Sequence, residues 1–300
     1  MSWLLIVIIA HLLNAGAFLV DKFLLAKAVP KPAVYAFWIG MLGLFALVLL
    51  PFGSLVFTPR EVVFALFAGF TFEIALLFFF GALRRLETSR VVPVVGGLQP
   101  LIIFLLSYTF LGERLSQGEF VAFVLLLLGS VVISYDTDVV TERETAKRRR
   151  GWLYAFVAAF LFAVSYALTK HVFGIQSFVS GFVWIRIGAF LTVLLFLLRR
   201  EWRHDILGKQ ERPKGKLGLL FLGGQSAGAV SAILLNYAIS LASVTIITAM
   251  QGMQYVFLFL IAMVLGRRYT QLRERLSTAI VLRKSTAIIL IGVGLVLLAR

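Results

Sequence analysis

The sequence predicts an all-α membrane protein of ten transmembrane helices arranged as two inverted five-helix repeats. Three observations predict it: the apolar composition, ten spaced apolar runs, and an ordered match between the two halves of the chain. Of 300 residues, 61% are hydrophobic and 14% charged, with a mean hydropathy of +0.98. Soluble domains carry about a quarter charged residues, so the solvent for most of this chain must be lipid. A hydrocarbon core ~30 Å thick takes about 20 apolar residues per helix, so ten spans use ~200 residues and leave about a hundred for connections. No soluble domain fits in that remainder.

Apolar runs bounded by charges or Pro/Gly clusters fall at 3–21, 33–52, 61–83, 91–111, 118–135, 151–169, 178–198, 217–240, 243–265 and 284–299. The first, opening at Trp3, has no positive region before it and no small-residue cleavage site after it, so it reads as a first span and not as a removable signal. The longest polar stretches are Asp136–Arg150 and Arg199–Lys216. The first lies at mid-chain and separates a first repeat, 1–135, from a second, 151–300, with a basic inter-repeat loop at 136–150.

Sliding one half over the other yields an ordered series of anchors. At an offset of 148, Ala15, Phe18 and Lys22 meet Ala163, Tyr166 and Lys170. At 145, Val34, Phe37, Gly43 and Phe45 meet identical residues at Val179, Phe182, Gly188 and Phe190. Leu111-Gly112 meets Leu265-Gly266 at 154, and Gly129 meets Gly294 at 165, an 11-residue insertion within Arg267–Lys284. An odd number of helices per half makes the second half enter the membrane upside down relative to the first. Inverted repeats of this kind are a common architecture of secondary transporters, with a site near the midplane.

Lys and Arg are retained on the cytoplasmic side of a membrane. The connections 1–2, 3–4, 5–6, 7–8 and 9–10 hold 24 of the 29 basic residues, against four on the other side, Arg60, Arg114, Lys170 and Arg300. Both termini are therefore expected outside the cytoplasm, in a prokaryotic inner membrane. The same distribution explains the net charge of +15 without nucleic acid as a partner. The chain has no cysteine, and its three histidines, His11, His171 and His204, lie in separate segments. Nothing here can build a thiolate metal site or a disulfide, and no cofactor is expected. No G-x-x-x-x-G-K-[ST] loop is present, so ATP does not drive the protein directly. No Ser/His/Asp set assembles at one depth, and the chain is not read as an enzyme.

The segment Pro93-Val-Val-Gly-Gly-Leu-Gln-Pro100, followed by Leu111-Gly-Glu-Arg-Leu-Ser116 just before another apolar run, resembles the end of an EamA-type repeat of the drug/metabolite transporter superfamily. Ten helices in two five-helix repeats fit that resemblance over nearly the whole chain. It implies a central cavity lined mainly by spans 1, 3, 4, 6, 8 and 9, and transport of a small metabolite or drug-like solute. The second half departs from the first: Gly266-Arg267-Arg268 stands where the first has Gly112-Glu113-Arg114, and Gln254 stands opposite Pro100.

Glu73, thirteen residues into its run, must face a cavity, find a partner or keep its proton, because an ionised carboxylate at that depth costs several kcal/mol. Arg186 is the other charge deep in a run and either neutralises Glu73, holds an anionic substrate or snorkels. Lys22 and Lys170 end matching stripes and read as interfacial anchors or paired gates. Pro93, Gly96, Gly97 and Pro100 predict a break in the fourth span that would free carbonyls for a ligand, or else a kink that tightens packing. Asn14, Gln99, Tyr166, Gln225, Asn236, Gln251 and Gln254 are candidate cavity residues, with interhelical hydrogen bonding as the competing explanation. The expected function is a secondary transporter, an exporter by alternating access, with a solute and lipids as partners and protons as the candidate coupling ion. A lipid flippase and a non-transporting membrane scaffold are the alternatives.

Overall fold

A computed structural model describes residues 2–25, 31–55, 58–86, 88–134, 146–208, 216–265 and 278–299. Among these residues the backbone is helical and has no strand. This is what lipid demands, since a helix satisfies its backbone N–H and C=O groups internally. The helices are α1 (Ser2–Leu25), α2 (Pro32–Gly43, continued as a tighter coil by Leu44–Phe52), α3 (Pro59–Leu83) and α4 (Thr88–Leu106, ending in a wide turn at Ser107–Leu111). They are followed by α5 (Gln117–Ser134), α6 (Ala146–Ile175), α7 (Phe178–Phe196) and α8 (Arg200–Leu207). The last four are α9 (Lys216–Leu241), α10 (Val244–Ala249), α11 (Gly252–Leu265) and α12 (Thr278–Leu298).

Among the described residues eight spans are long and apolar enough to cross a membrane, against the ten runs expected along the whole chain. The apolar stretch of α5, Gln117–Ile133, is shorter. α9 has 26 residues, ~39 Å of helix, but Gly223, Gly224, Gln225, Ser226, Ser231 and Asn236 dilute its apolar character. The expected loop Arg199–Lys216 contains a helix. In α8, Trp202, Asp205 and Ile206 turn inward at i, i+3 and i+4, and Arg200, Glu201, Arg203 and His204 stay exposed. Trp202 packs edge-on against Phe196, and Asp205 pairs with Lys31.

The chain folds into two compact units, and each draws on both sequence halves. The first unit comprises Met1–Val29, Arg114–Tyr135 and Glu211–Arg300. In it α1 packs on α9 and α11, and α5 packs on α12, α11 and α10. The α5/α12 contact is reciprocal. A Cβ on Gly129 would sit 2.6 Å from the Ile291 side chain, and a Cβ on Gly294 would sit 2.9 Å from that of Leu126. Each glycine thus receives the side chain three residues before the other. On the α1/α9 seam the Ser231 hydroxyl donates to the Ala10 carbonyl at 2.8 Å.

The second unit comprises Pro30–Glu113 and Asp136–Gln210. α3 lies against α6 and α7, α4 against α6, and α2 against α7 and α8. At Gly69 and Gly188 the backbones of α3 and α7 approach so closely that a Cβ at either would strike backbone atoms of the other helix. On the α3/α6 seam the Ser165 hydroxyl donates to the Ala68 carbonyl at 2.8 Å.

Two helix ends follow local rules. Gly112 closes the wide turn after α4 at φ 68°, a left-handed conformation that only glycine adopts freely. Ser116 and Glu119 form a reciprocal cap on α5. The Ser116 N–H donates to Glu119 Oε2 at 2.8 Å, and the Glu119 N–H donates to Ser116 Oγ at 3.3 Å.

α4 continues as one helix from Thr88 to Leu106 through Pro93, Gly96, Gly97 and Pro100, so the backbone is not opened there. Lipid makes an open backbone costlier than the one N–H each proline lacks, so the helix persists. The interruption lies in the ninth run, at Met250-Gln251 between α10 and α11. Thr248 Oγ1 donates back to the Val244 and Thr245 carbonyls there, competing with the helix ladder. Ser130 Oγ of α5 donates to its own Leu126 carbonyl at 2.7 Å and lies 3.3 Å from the Ala249 carbonyl at the end of α10, a weaker shared contact. Ser130 also bounds the space at Gly252, the first residue of α11. At the offset of 154, Met250 and Gln251 stand opposite Gly96 and Gly97.

Candidate functional site

The two units each hold a polar group inside apolar spans. In the second unit Glu73 of α3 has no exposed surface, and neither carboxyl oxygen has a hydrogen-bond partner among the described residues. Its charge partner is Arg186 of α7, which interacts with it electrostatically without a hydrogen bond. The guanidinium carbon of Arg186 lies 4.9 Å from the Phe182 ring centre and 5.6 Å from that of Phe72, so two aromatic faces hold the cation. Gly43 of α2 leaves room for the stem, since a Cβ there would stand 3.4 Å from Arg186 Cδ.

Tyr166 of α6 interacts electrostatically with the same guanidinium. The register of α6 on α3 that places it is set one residue earlier by the Ser165 to Ala68 hydrogen bond. One turn before Tyr166, Phe162 meets Phe72 and Phe79 with ring centres 5.6 and 6.2 Å apart. The result is one acid, one cation and one phenol walled by Phe72, Phe162 and Phe182. Among the described residues Arg186 donates no hydrogen bond, and the side chain is only partly buried. Its five N–H groups can therefore serve a ligand.

In the first unit Asn14 Nδ2 of α1 donates to Gln254 Oε1 of α11 at 2.8 Å. The sequence nominated both residues, and the fold joins them. Gln251, at the interruption, donates to the Tyr255 hydroxyl at 3.4 Å. Asn236 of α9 donates to the Ala232 carbonyl within its own helix at 2.8 Å, so its amide N–H is engaged locally. Gln225, also on α9, is partly buried and has contacts of its own.

The remaining nominated residues are dispersed. Gln99, Gly96, Gly97 and Pro100 are buried in α4, and Pro93 belongs to the same helix with its side chain outside the described residues. The Lys22 side chain, the Gly266–Arg268 segment, Asp136–Glu144 of the inter-repeat loop and most of the second-half insertion also lie outside them. Lys170 interacts electrostatically with Glu113, which makes it one partner of a charge pair. Sequence reasoning passed over His11 as a site residue, yet it is buried one turn before Asn14, and neither ring nitrogen has a partner among the described residues. It also passed over Ser130 and Phe182. A lone histidine in an apolar run was a legible signal; the other two gain meaning only from tertiary contacts.

No curated protein matches the chain in sequence. A solved crystal structure superposes with a TM-score of 0.72 at 21% identity, covering 99% of this chain and 96% of that one, so the two share a fold. The apolar helices make the chain an integral membrane protein. Residues 1–135 match the model of the EamA-like transporter family, so the first part of the chain is similar to that family.

Proposed function

We propose that the chain is a secondary transporter that exports a small metabolite or drug-like solute by alternating access, with protons as the coupling ion. The observation that carries this is a carboxyl group with no exposed surface and no hydrogen bond, facing an arginine inside apolar spans. Such groups are expensive in a membrane and mark substrate or ion pathways. The transporter match over residues 1–135 supports the class.

Ten helices in two inverted repeats remain the reading of the architecture, with repeats at 1–135 and 151–300 and both termini outside the cytoplasm. Two features support it. The Gly129/Ile291 and Gly294/Leu126 contacts exchange under the 165-residue offset. The α1/α9 and α6/α3 seams, which correspond in an inverted repeat, are each bridged by a serine hydroxyl donating to an alanine carbonyl.

The test is solute flux in proteoliposomes. A thermal-shift screen of amino acids, nucleosides, sugars, carboxylates and cationic drugs selects the solutes, because a ligand of the folded state raises apparent stability. Flux of a selected solute should respond to an imposed pH gradient, and Glu73→Gln should remove that response. Unchanged pH dependence in the variant excludes the proton role. Movement of lipid without any solute flux excludes the transporter reading in favour of a flippase.

A further inference from the structure

We propose that the Arg186 site takes the carboxylate of an organic anion with an apolar, aromatic-sized body, and that the anion binds together with one proton carried by Glu73. This rests on the transport reading for what happens after binding, and it adds a substrate class and a stoichiometry.

The argument is one of charge and access. With Glu73 ionised, Glu73 and Arg186 are together neutral. An anion added to them would leave a net negative charge among apolar spans, which is strongly disfavoured. With a proton on the Glu73 carboxyl, Arg186 stands as an uncompensated cation, and an anion restores neutrality. Proton and anion therefore assist each other's binding, and the assistance is reciprocal.

Access decides which group touches the ligand. Neither Glu73 oxygen has exposed surface, whereas Arg186 is partly buried and spends no hydrogen bond on the described protein. Arg186 can offer a carboxylate two parallel N–H donors, the strong bidentate arrangement. Tyr166, which faces the guanidinium, supplies a hydroxyl donor. Phe72, partly buried and beside the guanidinium, supplies an apolar face for the body of the anion, with the buried Phe162 and Phe182 rings behind it. A zwitterion would have to bring its ammonium group against a carboxylate it cannot reach.

The ionisable groups facing this pair from the packed helices are few. Arg186 comes from α7 and Tyr166 from α6, and no described ionisable side chain of α2 or α4 interacts with Glu73. Arg85, two residues past the end of α3, is engaged by the Gly81 carbonyl and the Tyr154 ring.

Binding of phenylpropanoate and of phenylalanine to the purified full chain in detergent tests this, since the two differ only by the ammonium group. Between about pH 6 and 8 the phenylpropanoate carboxylate stays ionised. Its affinity should rise up to tenfold per unit fall in pH, with about one proton taken up per anion bound in weak buffer. Glu73→Gln should flatten that dependence while keeping binding, and Arg186→Gln should weaken binding by at least about tenfold. Proton uptake by the unmodified chain gives an answer even if a variant does not fold. The proposal is overturned by absence of phenylpropanoate binding, by pH-independent binding, or by tighter binding of phenylalanine without proton uptake. If binding and proton uptake hold but no flux appears in liposomes, the transport reading fails and this site stands.

Discussion

Asn14 and Gln254 illustrate what one polar residue does in a membrane span. Each amide would lack a partner in hydrocarbon, and the 2.8 Å bond between them satisfies one donor and one acceptor. Such bonds contribute less than their vacuum strength suggests, because the unfolded chain in the membrane also finds partners. A double-mutant cycle of Asn14→Ala and Gln254→Ala should give a coupling of about 0.6–1.7 kcal/mol in detergent unfolding; a coupling near zero would assign both amides to a ligand instead. His11 presents the opposite case, with two buried ring nitrogens and no partner among the described residues. His11→Phe should be neutral or raise stability by about 1 kcal/mol, since it removes an unsatisfied buried polar group. A loss of more than that in the same unfolding assay would show that the imidazole holds an interaction the protein needs. These residues were legible in the sequence because a polar letter stands out in an apolar run. Their pairing was not, because residues 240 positions apart are brought together only by the packing of α1 on α11.

At the scale of the element, glycine spacing decides how closely helices approach. Gly69 is pressed by the backbone of α7, with Ala189 N only 2.5 Å from a Cβ placed there, so the neighbour cannot yield by turning a side chain. Gly69→Ala should cost about 1–3 kcal/mol through overpacking. Gly16 of α1 has open space around the same atom, and Gly16→Ala should be neutral or gain up to about 1 kcal/mol from helix propensity. Unfolding midpoints of the two variants check the contrast; equal effects would mean that propensity and not contact governs both. The interruption was the element least visible in advance. Pro93, Gly96, Gly97 and Pro100 carry strong breaker letters, yet α4 stays helical, because lipid penalises an open backbone more than one missing N–H. Met250-Gln251 carries no such letters, although Gly252 follows it, and the end of α10 there is met by a second, longer contact of the Ser130 hydroxyl, whose 2.7 Å bond goes to its own Leu126 carbonyl. Propensity and periodicity locate helices well, and the competition between side-chain and backbone partners that interrupts one is settled by neighbours.

For the whole molecule the strongest sequence signal is the distribution of charge, and it concerns orientation. Alternation of ten spans would gather the basic connections on one side of the bilayer, and within each unit the described basic side chains of those connections lie near helix ends. Arg199, Arg200 and Arg203 are exposed on or beside α8, and Lys31 at the start of α2 pairs with Asp205 of α8. Arg283 and Lys284 fall inside α12 and not before it, with the Lys284 ammonium 4.2 Å from the Phe259 ring centre, but they remain in its first two turns. Moving this many cations across a membrane would be strongly opposed, and retention of Lys and Arg on the cytoplasmic side is the empirical result. The cysteine-free chain makes the consequence measurable. Ser2→Cys, exposed at the start of α1, should react with an impermeant thiol reagent in intact cells. Gly208→Cys, exposed just past α8, should react only after lysis. The reverse pattern would place both termini in the cytoplasm, and the direction in which a proton gradient drives the solute would reverse with it.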